Sequence, residues 1–282
     1  MDHWEDRFEA LQARRTSEAA AADIAPYVTD RDEAGDRLSV IGNAWSRAMF
    51  GGLFPVSPPP SGDLPAMNLV FVQSRDGNTV TDDPSTLGGG EADKHLIYEG
   101  LSRVAADAVL AGANTIRGGD LVLSVWRPEL VALRAAMDLP RHPVQVVATL
   151  RGLALDEGLM FNVPALRVIV ITAARGADAM SDALNARPWI STIVMDDPLD
   201  LPNACRELRR LGVVRVSCIG GRTIAAPLVD AGLVQDVYLT TGTNAGGEPG
   251  TPFYAKPLNG REAVRKHGTG PDAGVVFQHI VL

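Results

Sequence analysis

The chain has 282 residues, 46% hydrophobic and 21% charged, enough for one large or two small globular domains with a buried core. A formal charge of -8 and an isoelectric point near 5.1 speak against a nucleic-acid or anionic-membrane partner. The two cysteines, Cys205 and Cys218, lack metal-ligand spacing, the N-terminus MDHWEDRFEA is acidic, and no apolar run approaches ~18 residues, which together predict a cytoplasmic protein without a metal site.

Residues 1–65 differ in texture from the rest and read as an N-terminal extension to a main domain over 66–282. Trp4, Phe8 and Leu11 stand at i, i+4 and i+7 and predict an amphipathic helix. Leu38, Ile41, Trp45 and Met49 repeat at similar spacing and predict a second. GGLFPVSPPPSGDLP is then an extended, proline-rich connector.

From Met67 onward strands and helices alternate. MNLVFVQ is a short apolar run suited to a buried strand, and EADKHLIYEGLSRVA has the inward stripe of a helix. DAVLAG, PVQVVAT, LRVIVIT, STIVM, VVRVSCI, QDVYLTT and GVVFQHIVL read as further strands, with helical segments around 175–185 and 202–211. Pro202 near the start of the second segment and Gly212 just past its end are the usual helix punctuation. Arg206, Arg209, Arg210 and Arg215 are taken as a solvated face. The pattern predicts an α/β fold, a mostly parallel sheet with helices on both faces.

Gly112, Gly220, Gly221 and Gly242 each follow a predicted strand, and so do Thr149 and Arg151. In an open parallel sheet ligands bind outside the carboxyl ends of the strands, where helix N-termini offer unpaired N–H groups to a diphosphate. Any one of these glycines could equally be a plain turn. Several at one rim point to a nucleotide-type ligand. The familiar spellings fail: Arg117 stands where a P-loop needs glycine, no G-x-G-x-x-G follows a strand, and the H-x-E at residues 3–5 has no P-C-x-x-C partner.

MNLVFVQSRDGNTV, DAVLAGANTIRGGD and SCIGGRTIAAPLVDAGLVQDVYLTTG, in that order, resemble the pyrimidine reductase of riboflavin biosynthesis, the reductase half of the bifunctional deaminase/reductase. The resemblance covers roughly residues 66 to 256. It implies a dihydrofolate-reductase-like fold, a homodimer, NADPH as cofactor, and hydride transfer to the ribosyl C1 of a phosphoribosylamino-pyrimidine. By resemblance Gly112, Ala113, Thr115 and Arg117 meet the cofactor phosphates, with Gly220, Gly221, Arg222, Thr223 and Ile224 beside the nicotinamide and diphosphate. Thr149 and Arg151 end the strand that meets the adenosine 2′-phosphate, and a hydroxyl and a guanidinium there favour NADPH over NADH.

Asp120 matches the aspartate that the family places beside the substrate, where a carboxyl could give a proton or stabilise positive charge. Ser74 and Asp76 would face substrate or nicotinamide from the loop after the first strand of the main domain. Gly89, Gly90 and Lys94 would grip the substrate phosphate. Two departures put the substrate in question. The family's doubled aspartate followed by proline is Gly119–Asp120–Leu121 here, and its glutamate before the glycine pair is Ile219, which cannot accept a hydrogen bond. Reduction of another heterocycle such as dihydrofolate, or a non-catalytic nucleotide- or flavin-binding role, are the alternatives.

Overall fold

The computed structural model describes residues 2–116, 120–196 and 200–282. Its strands, in chain order, are β1 (Val28–Asp32), β2 (Ser39–Ile41), β3 (Phe54–Val56), β4 (Ala66–Gln73), β5 (Ala108–Gly112), β6 (Val144–Thr149), β7 (Val168–Ala173), β8 (Ile190–Met195), β9 (Arg215–Cys218), β10 (Asp236–Thr241), β11 (Arg261–His267) and β12 (Val276–Val281). Ten of them form one sheet in the order β1-β11-β12-β10-β4-β9-β5-β6-β7-β8, while β2 and β3 pair as a separate ribbon. From β10 to β8 every pairing is parallel, and β10, β12, β11 and β1 pair antiparallel.

The parallel strands are apolar at successive positions because helices cover both their faces. Along β7, Val168 and Val170 enter one core while Ile169 and Ile171 enter the other. The first core packs under the helices Asp2–Ala21, Ala44–Phe50, Ala92–Leu101 and Pro128–Ala136; the second packs against Leu201–Arg210 and Arg222–Asp230. Helix Leu201–Arg210 starts where the sequence signals it should: the Asp200 side chain accepts from the Asn203 N–H at 2.9 Å, and Pro202 fills the first turn, where its missing N–H costs nothing.

The mostly parallel mixed sheet, with helices on both faces, is the fold class expected from the sequence. Several local expectations need correction. Leu38 and Ile41 do not belong to a helix: Ser39–Ile41 is β2, paired with β3, and helix Ala44–Phe50 begins only after the Asn43–Ser46 capping box. The helical segment around 175–185 is two short helices, Ala174–Ala179 and Ser181–Asn185, separated at Met180. Strands β1 and β11 were not anticipated, since VTDRD and REAVRKH carry little apolar signal.

Residues 2–65 build into the same body. Strand β1 pairs with β11, and Tyr27, Phe50 and Phe54 are buried with Tyr238 and Phe277 in an aromatic cluster, for example Phe54–Tyr238 at 4.7 Å and Phe50–Phe277 at 5.3 Å between ring centroids. Each such ring stabilises by roughly 1.5–3 kcal/mol through burial alone. The proline-rich connector is held by a buried polar network: Ser57 donates from its backbone N–H and its hydroxyl to Asp236, and the same carboxylate meets His279 Nε2 at 2.7 Å.

The N-terminal helix is tied at both ends. Arg7 grips both carboxylate oxygens of Asp120 near one end, and Arg127 Nη1 donates to the carbonyls of Ala19 (2.7 Å) and Ala22 (3.2 Å) at the other. Those terminal carbonyls have no intrahelical partner, so a guanidinium there closes the helix and complements its dipole. Trp45 stacks on Arg127, 4.6 Å from the ring centroid, and fixes its direction.

Candidate active site

The parallel register brings Leu69 of β4, Leu110 of β5 and Cys218 of β9 side by side, so the turns after these strands emerge together. The Ile219 N–H donates to the Leu110 carbonyl at 3.0 Å, and the Gly112 N–H donates to the Gly220 carbonyl at 3.2 Å. The two glycine turns expected to form a cradle are therefore hydrogen-bonded to each other. Gly220 and Gly221 have φ of 107° and 82°, a region costly for any residue with a Cβ. A Cβ on Gly220 would meet the Phe71 ring at 3.3 Å, and one on Gly221 the Thr115 hydroxyl at 3.4 Å. Helix Arg222–Asp230 opens directly from Gly221 with no side-chain cap, leaving its first N–H groups to a ligand.

A cleft of about 1050 Å³ runs along these turns. Its floor is Val70, Phe71 and Val72 of β4, with Phe71 stacked on Phe253 at 5.1 Å. Asn114, Thr115, Ile219, Gly221, Arg222 and Thr223 line one end. The loop from Thr79 to Ser85, Gly89, Gly90 and the helix Ala92–Leu101 line another wall, and Arg15 of the N-terminal helix also reaches in. Arg222 Nε is buried there without a hydrogen-bond partner. An orphaned guanidinium N–H beside an uncapped helix start and a glycine cradle is the donor set that suits a dinucleotide diphosphate.

Of the residues expected from the sequence, Thr115, Gly221, Arg222, Thr223, Gly89, Gly90 and Lys94 line this cleft. Gly112, Gly220 and Ile224 support it: Ile224 donates its N–H back to the Gly221 carbonyl, closing the first turn of the helix, and Ala113 begins the short helix Ala113–Ile116. Arg117 lies outside the described residues. Thr149 is buried and its hydroxyl donates to the Gly152 carbonyl at 2.9 Å, which shapes the turn that exposes Arg151. Ser74 is spent on its own turn, its hydroxyl accepting from the Asn78 N–H, and Asp76 is exposed at that turn; neither lines the cleft. Asp120 does not line it either, because Arg7 holds its carboxylate.

Asp82, Asp83, Glu91, Asp93 and Glu99 line the cleft, and sequence reasoning missed the buried carboxyls among them. Asp93 is buried at 8% exposure, makes no side-chain hydrogen bond of good geometry among the described residues, and lies between Gly89 and the buried hydroxyl of Thr240. Burial pushes its pKa up to about 7, with the nearby Asp272 carboxylate adding to the rise and Thr240 opposing it. Glu99, also buried, leaves one oxygen unpartnered in the same wall. The signal was present: Asp93 precedes Leu96 and Ile97 by three and four residues, which puts an acid on the buried stripe of its own helix. That helix is a π-helix kinked at Gly100, where a Cβ would strike the His95 carbonyl and Leu130. Widened turns of this kind recur at functional sites.

The model of the RibD C-terminal domain matches residues 65–265. No curated protein sequence gives a significant match. Among solved structures, a pyrimidine reductase-like protein of Corynebacterium diphtheriae is 19% identical, with 77% of this chain and 91% of that chain covered at a TM-score of 0.61. RibD of Acinetobacter baumannii is 17% identical over 78% of this chain at a TM-score of 0.60; the match spans 58% of that longer chain. The riboflavin biosynthesis reductase Rib7 of Saccharomyces cerevisiae is 14% identical, covering 79% and 92% at a TM-score of 0.56. These likenesses show the fold alone; membership rests on the match across residues 65–265, which takes in both glycine turns and the whole cleft apart from Arg15. On that match the chain belongs to the RibD C-terminal domain family, the family of riboflavin-biosynthesis pyrimidine reductases that its three motifs resemble.

Proposed function

We propose that the protein is an NADPH-dependent reductase acting on a phosphoribosylamino-pyrimidine or a related heterocycle. The observation that carries this proposal is the pair of interlocked glycine turns at the cleft, with an uncapped helix start and the orphaned Arg222 Nε beside them. Gly112, Ala113, Thr115, Gly220, Gly221, Arg222, Thr223 and Ile224 would hold the cofactor, and Arg151, exposed on the Thr149 turn, would meet its 2′-phosphate. Bound there, a reduced nicotinamide supplies hydride to an electrophilic carbon.

The chain's own residues do the rest. Phe71 and Ile219 exclude water from the middle of the cleft. Gly89, Gly90 and Lys94 position the substrate. Hydride addition to a C=N bond leaves the nitrogen needing one proton, and Asp93 gives it, ending as a carboxylate that solvent reprotonates. A carboxyl held near 7 is half protonated at neutral pH, as this role requires. Asp120, neutralised by Arg7, anchors the N-terminal helix instead. A homodimer in the cytoplasm belongs to the same proposal.

Ile219 favours a second substrate class. It occupies the cleft where an acceptor for sugar hydroxyls would stand, so dihydrofolate or another heterocycle without the ribosyl chain is the competing substrate. Titration with NADPH and NADH, followed by nicotinamide fluorescence, tests the cofactor. Tight NADPH binding with much weaker NADH binding is expected, and binding of neither would overturn the reductase proposal. Turnover on the phosphoribosylamino-pyrimidine against dihydrofolate separates the two substrates.

A further inference from the structure

We infer that Arg15, carried by the N-terminal helix, is a substrate-binding residue that holds an anionic group on the molecule entering the cleft. This rests on the reductase proposal for the identity of the site. Arg15 lines the cleft, yet its helix lies wholly outside residues 65–265, so the extension adds a group that the matched domain does not contain. Its side chain is 27% exposed, and among the described residues its one hydrogen bond is to Glu18 at 3.5 Å, the outer limit of the interaction. A guanidinium has five N–H donors in a fixed fork, so most of this one's capacity is unspent.

Its position is fixed in advance. Arg7 and Asp120 pin the helix before Arg15, the Arg127 guanidinium pins it after, and Leu11 and Ala19 are buried in the core on either side. The helix thus fixes where the Arg15 side chain starts, and a bidentate oxyanion would order the guanidinium itself. Lys94 supplies a second positive charge to the same cleft, where it acts on Asp83 without a salt bridge within 4.0 Å among the described residues. The cofactor end already has Arg222 and the amides after Gly221, so Arg15 is assigned to the substrate. A phosphate and a carboxylate share the chemistry this pair recognises.

Saturation-transfer NMR on the full chain, with and without NADPH, would follow three probes: ribose 5-phosphate, benzoate and uncharged ribose. Arg15→Ala should weaken one of the anionic probes on the order of ten- to a hundredfold, with Arg15→Lys between it and wild type and ribose unaffected. The anion that responds identifies the source. NADPH affinity should be the same in all three proteins. The inference is overturned if neither anion responds to Arg15→Ala, or if NADPH affinity falls with the substitution, which would assign Arg15 to the cofactor. Because the anion titration also runs without NADPH, loss of cofactor binding by wild type would count against the reductase proposal alone.

Discussion

Replacing Asp93 with asparagine should make the protein more stable and less active. The native carboxyl is buried and its pKa is raised from 3.8 to about 7, first by desolvation and then by Asp272. A carboxyl whose folded pKa lies above its unfolded value stabilises the fold only while protonated. Relative to that state, stability falls as pH rises from about 4 through about 7. Above 7 the full penalty, roughly 4 kcal/mol, is in place. Asparagine keeps the shape and never ionises. At pH 8 its melting temperature should exceed wild type by about 5 °C or more, and at pH 4.5 the two should nearly coincide. Tyr27, Asp272, Glu91, Lys94 and Glu99 surround the site and are unchanged by the substitution. Thermal melts across pH 4.5–8.5 are the assay, with turnover measured alongside; loss of a proton donor should lower kcat by about 10²–10⁴-fold. Melting curves that stay parallel at every pH would refute the protonation argument, and unchanged kcat would refute the catalytic role.

Further outcomes follow from other residues. Gly221→Ala places a Cβ at a φ of 82° beside Thr115 and should weaken NADPH binding at least tenfold while costing about 1–2 kcal/mol of stability; a calorimetric titration with a melt would read both. Arg151→Ala should erode the preference for NADPH over NADH about tenfold with NADH affinity unchanged, measured by fluorescence titration. Asp236→Ala strands Ser57 and His279 in the core and should destabilise by about 3 kcal/mol in urea unfolding, with cofactor affinity intact. Arg127→Ala should release the last turn of the N-terminal helix, seen as faster amide exchange over residues 19–22.

The parallel strands and the glycine turns were legible because their signals are local: runs such as LRVIVIT, buried on both faces, and glycines at strand ends, of which Gly220 and Gly221 take positive φ. Strands β1 and β11 were not, since VTDRD is held by pairing with β11, and REAVRKH by pairing with both β1 and β12, rather than by their own apolar content. Leu38 and Ile41 misled because a stripe at helical spacing was interrupted by the Asn43 cap, which a short window does not weigh. At the site, Asp120 was read from motif resemblance alone, and its pairing with Arg7 spans 113 positions, beyond any sequence pattern. An acid in the first turn of a helix is ordinarily a solvated dipole partner, which masks the place of Asp93 on the buried stripe. Only the packing against β4 and Thr240 removes it from water.

The pairing of β1 with β11 also orders the events of folding. Tyr27, Phe50 and Phe54 leave a ribosome early, but Tyr238 and Phe277, against which they are buried, arrive only when nearly all of the chain has been made. Such closure across long stretches of chain is slow, because the loop entropy is lost before the contacts form. The central parallel strands can assemble first, while the aromatic N-terminal segment waits with its apolar face uncovered. That interval is where chaperone dependence and aggregation of the nascent protein should concentrate.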